Sequence, residues 1–194
     1  MPDEAFTRLD GLRVALRRFR LGDVTDFAAY RSAGQVARFQ SWDAPYPREA
    51  GEQFVRDMMN QHPDTPGEWF QLAVVLRATG QLIGDCAVKP DADDPRQCEI
   101  GFTLAPEHQG QGYATEAAGL LVGYLFTARG KHRITAYCDA RNAASAAVLE
   151  RLGMRREGHL RESTWAKGEW TDDLVYGLLH DEWDPGRAGP ARSG

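Results

Sequence analysis

The sequence predicts a mixed α/β fold, packed in layers around one sheet. Three observations predict it. Short β-branched and aromatic runs bounded by turn residues recur along the chain. Two segments of the second half carry helical apolar spacing and alternate with such runs. The 194 residues, 42% hydrophobic and 26% charged, hold no internal repeat and no Pro/Gly linker long enough to separate a pair of domains.

The first eight residues have little to bury and are expected to be flexible. Residues 184–194, rich in Gly, Pro, Arg and Ser, are expected to be a disordered tail, which leaves one domain over 9–183. Residues 12–21 alternate enough for a first strand. Gly22-Asp23 then supplies a turn and a helix start, with Val24, Phe27 and Ala28 at helical spacing up to Arg31. Residues 47–60 read as a second helix, with Pro47 near its start, acids in its first turn and Phe54, Val55, Met58 and Met59 on one stripe. The run HPDTPG ends it. Residues 69–77 and 82–88 flank Thr79-Gly80-Gln81, a hairpin signal, and after a loop over 90–96 residues 98–104 form another strand. Residues 112–128 form a long helix, with Ala117, Leu120, Leu121, Tyr124, Leu125 and Ala128 on one face. Gly119, Val122, Gly123 and Phe126 make the other side apolar too, so this helix is expected to be buried. A strand over 133–138, a helix over 142–152 ended by Gly153, and a hairpin of 154–165 with 173–179 around Lys167-Gly168 complete the chain.

Lys and Arg number 23 against 28 Asp and Glu, a formal net charge of -5. Nucleic acids and anionic membranes need a basic face, so neither is expected as a partner, whereas a cationic amine suits this balance. The longest lipid-like run, 117–128, is too short to span a bilayer. The opening MPDEAFTRLD is acidic and lacks the apolar stretch of a signal peptide. Cys86, Cys98 and Cys138 are odd in number, form no CxxC pair and sit in apolar stretches. They read as core thiols, and a reduced, cytoplasmic location is expected. No His/Cys cluster has ligand spacing, so no metal is expected.

The chemistry is concentrated in Glu107-His-Gln-Gly-Gln-Gly-Tyr-Ala-Thr-Glu116. A strand precedes it, Gly110 and Gly112 let the backbone approach a ligand closely, and a helix opens directly after. The first N–H groups of a helix have no intrahelical partner, so an anion is the natural occupant. The macrodipole alone is worth ~0.3–1 kcal/mol, so direct hydrogen bonds to several anionic oxygens must dominate, and a diphosphate supplies them. A Walker loop would need a lysine that this segment lacks, and the dinucleotide fingerprint would need a third glycine where Thr115 stands.

Gln109-x-x-Gly112-x-Ala114 resembles instead the Q/R-x-x-G-x-G/A pattern of the GNAT superfamily of N-acyltransferases. The run CEIGFTLAPEHQGQGYATEA is similar to that of its RimJ/RimL-like branch. So are Asn142-Ala-Ala-Ser145 with Glu150-Arg-Leu-Gly-Met154, Gly168-x-Trp170-x-Asp172, Tyr176-Gly-Leu-Leu and Glu182-Trp183. The resemblance spans residues 12–183 and is tightest over 99–154.

It implies a GNAT-like single domain, with a central mixed, mostly antiparallel twisted sheet and helices on both faces. It implies acetyl-CoA as co-substrate and direct attack of a primary amine on the thioester, the amine being a peptide or protein N-terminus or a small molecule. Gln109, Gly110, Gln111, Gly112, Tyr113, Ala114 and Thr115 would hold the pyrophosphate. Phe102, Thr103 and Leu104 would flank the pantetheine, with a backbone N–H at or near Leu104 as oxyanion donor and Asn142 contacting the cofactor. Two pantetheine amides suit an exposed strand edge, and Pro106, without an N–H, is consistent with a ladder that stops there. A non-catalytic acyl-CoA-binding or sensor protein is the alternative. Homodimers are common in such families, although no residue here marks an interface.

Many relatives carry a tyrosine that protonates the leaving thiolate, and Leu149 stands at its position. RimL-like relatives use a serine one turn earlier, which implies Ser145; a hydroxyl bonded back to a helix carbonyl is the other reading of Ser145. Asn142 also reads as a plain N-cap. Glu99, on the strand beside the thioester, is expected to end a water chain as general base. Glu116 is explained by the helix dipole, while His108, Glu157 and His159 have weaker claims on catalysis. Trp42, Tyr46 and Trp165 are expected to line the acceptor slot, with Trp69 and Trp170 as further aromatic candidates and Asp43 and Asp172 as acids able to attract an ammonium.

Overall fold

A computed structural model describes residue 6 and residues 8–186. Eight strands form one sheet: β1 (Arg8–Asp10), β2 (Val14–Arg17), β3 (Phe70–Leu76), β4 (Leu82–Pro90), β5 (Gln97–Leu104), β6 (Arg133–Asp139), β7 (Arg155–Ala166) and β8 (Glu169–Leu179). Their spatial order is β1-β2-β3-β4-β5-β6-β8-β7, and every neighbouring pair is antiparallel except β5 with β6. Five helices complete the domain: α1 (Val24–Arg31), α2 (Gly34–Ala37), α3 (Arg48–Asn60), α4 (Tyr113–Thr127) and α5 (Ala143–Arg151).

Side-chain alternation divides the sheet into two apolar faces. Val14, Leu16, Phe70, Leu72, Val74, Ile100 and Leu104 join α4 and α5 in one core through Ala117, Leu121, Leu125, Val148 and Leu149. Ala15, Ala73, Val75 and Leu82 turn the other way, toward Phe27 of α1 and Val55 of α3. The all-round apolarity of α4 is used as expected, since Ala117, Ala118, Leu121, Val122, Leu125 and Phe126 are all buried. Burying so many aliphatic and aromatic side chains, at ~1.5–3 kcal/mol each, is the main force closing both layers.

The N-terminal region departs from the expected strand over 12–21. Arg8–Asp10 and Val14–Arg17 pair as a short hairpin, Leu12 lies in its turn, and Leu21–Asp23 forms a single 3-10 turn. Asp23 ends the strand: it accepts from both Arg17 guanidinium nitrogens at 2.7 and 2.8 Å and from the Arg20 N–H at 2.8 Å. Such a bond from side chain to nearby backbone competes with ladder pairing. Within the segment expected to be flexible, Phe6 is buried edge-on against Tyr124 and Arg8 opens β1. Residues 1–5, 7 and 187–194 lie outside the described residues, and with them most of both expected flexible ends.

The β5–β6 pair positions the site. Among the described residues it is the one parallel pair, and its ladder runs through Gln97, Cys98 and Glu99 against Arg133, Ile134 and Thr135. Beyond Glu99 the strands separate. The parallel ladder therefore ends at Glu99, well before Pro106, so the missing proline N–H is not what opens the edge.

Candidate active site

Where β5 and β6 separate, the chain encloses a cavity of about 1030 Å³. Its lining contains Phe102, Thr103, Leu104, the whole run Gln109–Thr115, Asn142 and Ser145, the residues singled out from the sequence for the cofactor. It also contains Arg13, Gln35, Phe39, Gln40 and Arg151, which the sequence did not single out. Gln35 belongs to α2, a four-residue helix too short to show a period, and Phe39 and Gln40 follow its C-cap Arg38.

The floor is a row of unpaired amides. Glu116 is the first residue of the loop-to-helix junction whose N–H finds a helical carbonyl, that of Gly112 at 3.1 Å. Among the described residues, none accepts from the N–H groups of Gly110, Gln111, Gly112, Tyr113, Ala114 or Thr115. Gly112 stands in the left-handed region at φ 82°, as a residue turning from the loop into α4 must, and only glycine adopts this without strain. Six successive donors at the positive end of a 15-residue helix form an anion site.

One wall is the free edge of β5. Ala105 donates to Ile83 at 2.8 Å, so by antiparallel alternation Thr103 turns its peptide groups to β4 while Phe102 and Leu104 turn theirs to the opening. Gly84 allows this close approach, since a Cβ there would lie 2.1 Å from the Thr103 carbonyl oxygen. Gln109 ties the loop to the same edge by donating its side-chain amide to the Leu104 carbonyl at 2.9 Å. The Leu104 N–H is left facing the cavity.

The opposite wall is α5. Asn142 caps it, with Oδ1 accepting the Ser145 N–H at 3.1 Å. Among the described residues the Ser145 hydroxyl has no bond back to a helix carbonyl, and Ser145 lines the cavity. Leu149 is buried in the core beneath it.

Two groups of sequence candidates are placed elsewhere. Glu99 is engaged with Lys89, Nζ to Oε2 at 2.6 Å, at the closed end of the β5–β6 pair and outside the cavity lining. Trp42 and Tyr46 pack around the Arg31 guanidinium, whose carbon lies 3.9 and 5.3 Å from their ring centres, and the Trp42 indole N–H donates to the Arg31 carbonyl at 3.1 Å. The cation these rings hold is thus the protein's own. Trp165 stands at the tip of the β7–β8 hairpin, 60% exposed and edge-on to Trp170. Lys167 at that tip reaches the Trp42 carbonyl and Asp43, each at 2.7 Å, bringing the hairpin over the segment that follows α2. Asp172 is hydrogen-bonded to His159, and Glu157 is paired with Arg133.

Glu116 has a more specific role than its place near the helix dipole suggested. Its Oε1 accepts the backbone N–H groups of Arg13 at 2.6 Å and Val14 at 3.1 Å, and its Oε2 accepts Arg13 Nε at 2.9 Å. Burial works to raise this carboxyl, but these donors outweigh it and hold it below the usual glutamate range. Burial pushes the Cys98 thiol up to about 12 and the Cys138 thiol up to about 11, and Cys86 higher still, away from the thiolate form. Among the described residues no cluster of His, Cys, Asp and Glu could hold a metal ion, and no helix is long and apolar enough to cross a membrane.

A family model described as an acetyltransferase (GNAT) domain matches residues 13–155. The chain belongs to the GNAT acetyltransferases. The uncharacterized N-acetyltransferase YnaD of Bacillus subtilis is 31% identical over 172 residues, covering 89% of this chain and 96% of that one. The [ribosomal protein uS5]-alanine N-acetyltransferase of Escherichia coli is 31% identical over 90 residues, 46% of each chain. A GNAT-family acetyltransferase of Bacillus anthracis superposes with a TM-score of 0.82 at 27% identity, covering 91% of this chain and all of the other. The GNAT fold and the RimJ/RimL-like resemblance both hold. GNAT enzymes use acetyl-CoA, and the cavity fits that donor: free amides for its diphosphate and an open strand edge for its amide-bearing arm.

Proposed function

We propose that this GNAT acetyltransferase moves the acetyl group of acetyl-CoA onto a primary amine, and that the amine is the α-amino group of a peptide or protein. One observation carries the reading: the amides of Gly110–Thr115, the free edge of β5 and the Ser145 hydroxyl all face one cavity. The amides take the diphosphate, and the Phe102 and Leu104 peptide groups align the arm so that the thioester lies between β5 and α5. The neutral amine forms the C–N bond at the carbonyl carbon. The Leu104 N–H stabilises the oxyanion, and the C–S bond then breaks. Ser145 gives its proton to the departing thiolate and regains one from water, while the proton lost from nitrogen passes through water toward Glu99.

The acceptor class is supported by the chemistry of the lining. Glu116 is its one carboxylate and is fully engaged with Arg13 and Val14, so no strong base touches the amine. An α-amine, with a pKa of ~7.7–8.0, is partly neutral near pH 7, whereas a lysine at ~10.4 is not. The similarity to a ribosomal-protein alanine N-acetyltransferase points the same way.

The test is thiol release from acetyl-CoA against a panel of peptides with free N-termini, the same peptides blocked but bearing lysine, and small amines, with products located by mass. Turnover of free N-termini and not of blocked lysine peptides is expected. Tight acetyl-CoA binding with no turnover on any acceptor would leave a cofactor-binding protein instead.

A further inference from the structure

The N-terminal hairpin delivers one side chain to the anion site. Arg13, in the turn between β1 and β2, crosses 98 residues of sequence to donate Nη1 to the Gln111 carbonyl at 2.9 Å. Its guanidinium carbon lies 4.6 Å from the centre of the Tyr113 ring. Nε is taken by Glu116, which also accepts the Arg13 backbone N–H, so the side chain is held at both ends. Nη2 has no acceptor among the described residues. It lies over the bare Cα of Gly112, where an added Cβ would approach it to 3.3 Å, beside the row of free amides. Arg13 lines the cavity, and its side chain is 40% exposed. The charged side chains of that lining are Arg13, Arg151 and the engaged Glu116, a positive balance on a chain of net charge -5.

We propose that Arg13 is a side-chain contact for the diphosphate of the acyl donor, with Glu116 as its positioning residue. The proposal rests on the acetyl-CoA reading above and adds to it a cation from outside the loop. A guanidinium offers two N–H groups in one plane and suits phosphate oxygens. A purely structural Arg13 would need only its bonds to Glu116 and Gln111. The free Nη2, turned to the loop amides, is what a ligand adds to.

The experiment compares two donors, acetyl-CoA and S-acetylpantetheine, which lacks both phosphates of the diphosphate. Arg13→Gln is expected to lower kcat/KM for acetyl-CoA about tenfold or more, the loss of one charge-assisted bond, while lowering kcat/KM for S-acetylpantetheine far less. Arg13→Lys should recover some of the loss, and Glu116→Gln should show a smaller version of the same donor-dependent loss. Calorimetry with CoA should show the matching weakening in Arg13→Gln, and thermal unfolding reports whether each variant is folded. Equal losses with both donors, or unchanged CoA affinity in a folded Arg13→Gln, would make Arg13 a structural tether and overturn the proposal. A wild-type protein that binds neither CoA nor acetyl-CoA would sink the underlying reading instead.

Discussion

Asn142 accepts the N–H of Ser145 through its side-chain oxygen at 3.1 Å, and this one bond sets the first turn of α5 at the cavity wall. The cap satisfies a backbone donor, while the Ser145 hydroxyl stays free to meet a departing sulfur. Capping and cofactor contact are therefore compatible roles for Asn142, because different atoms of the turn serve each.

Ser145→Ala is expected to lower kcat by ~10²-fold, the scale of a lost general acid, with CoA affinity measured by calorimetry unchanged. Asn142→Ala acts on stability as well, costing ~1 kcal/mol as a lost N-cap. A Ser145→Ala protein that turns over normally would remove the hydroxyl from the mechanism.

Gly112 holds a left-handed backbone at φ 82°, where any other side chain is strained. Gly112→Ala meets a left-handed strain of ~1–2 kcal/mol and places its Cβ near Arg13 Nη2, so both the unfolding midpoint and the affinity for acetyl-CoA should fall. Gly112→Asp adds a carboxylate within reach of Arg13, an internal anion in place of the diphosphate. Calorimetry should find no CoA binding to it, and unaltered affinity would displace the anion site from this loop.

Glu99 is held by Lys89 and stands outside the cavity lining. A proton reaching it must travel through water, so Glu99→Gln should cost less than the ~10²–10⁴ that a directly contacting base supplies. Initial rates across the pH range at saturating acetyl-CoA are the measurement. A loss of ~10³ or more would place Glu99 in contact with the amine, and no loss would leave bulk water as the acceptor.

Trp165 is 60% exposed and stands outside the core. It pairs edge-on with Trp170 at the hairpin tip, which Lys167 fastens to the segment after α2. Trp165→Ala should raise KM for a peptide acceptor while leaving CoA affinity in place, with a stability change no larger than the ~0.5–1.5 kcal/mol of an aromatic pair. Trp42→Ala should do the reverse, lowering the unfolding midpoint by exposing the buried Arg31.

The elements from α3 to the closing hairpin were legible because their signals are local. Periodicity marked α4, the two glycines marked the turn before it, and Asn142 marked its own cap. Other features carried no such signal. The four residues of α2 cannot show a helical period, and Asp23 cut the expected first strand short through a bond to Arg17. Trp42 and Tyr46 were expected to line an acceptor slot, and no spacing along the chain shows that they pack around Arg31.

Sequence alone determined the glycine turn and the free amides before α4 and the cap of α5, since turn geometry, free helix-start amides and capping depend on residues within one turn of each other. Tertiary structure decided what faces that loop. The pairing of Arg13 with Glu116 joins residues 103 apart, and the short parallel ladder that ends at Glu99 pairs strands from distant parts of the chain. A side chain's partner across the fold is set by packing, and no spacing along the chain encodes it.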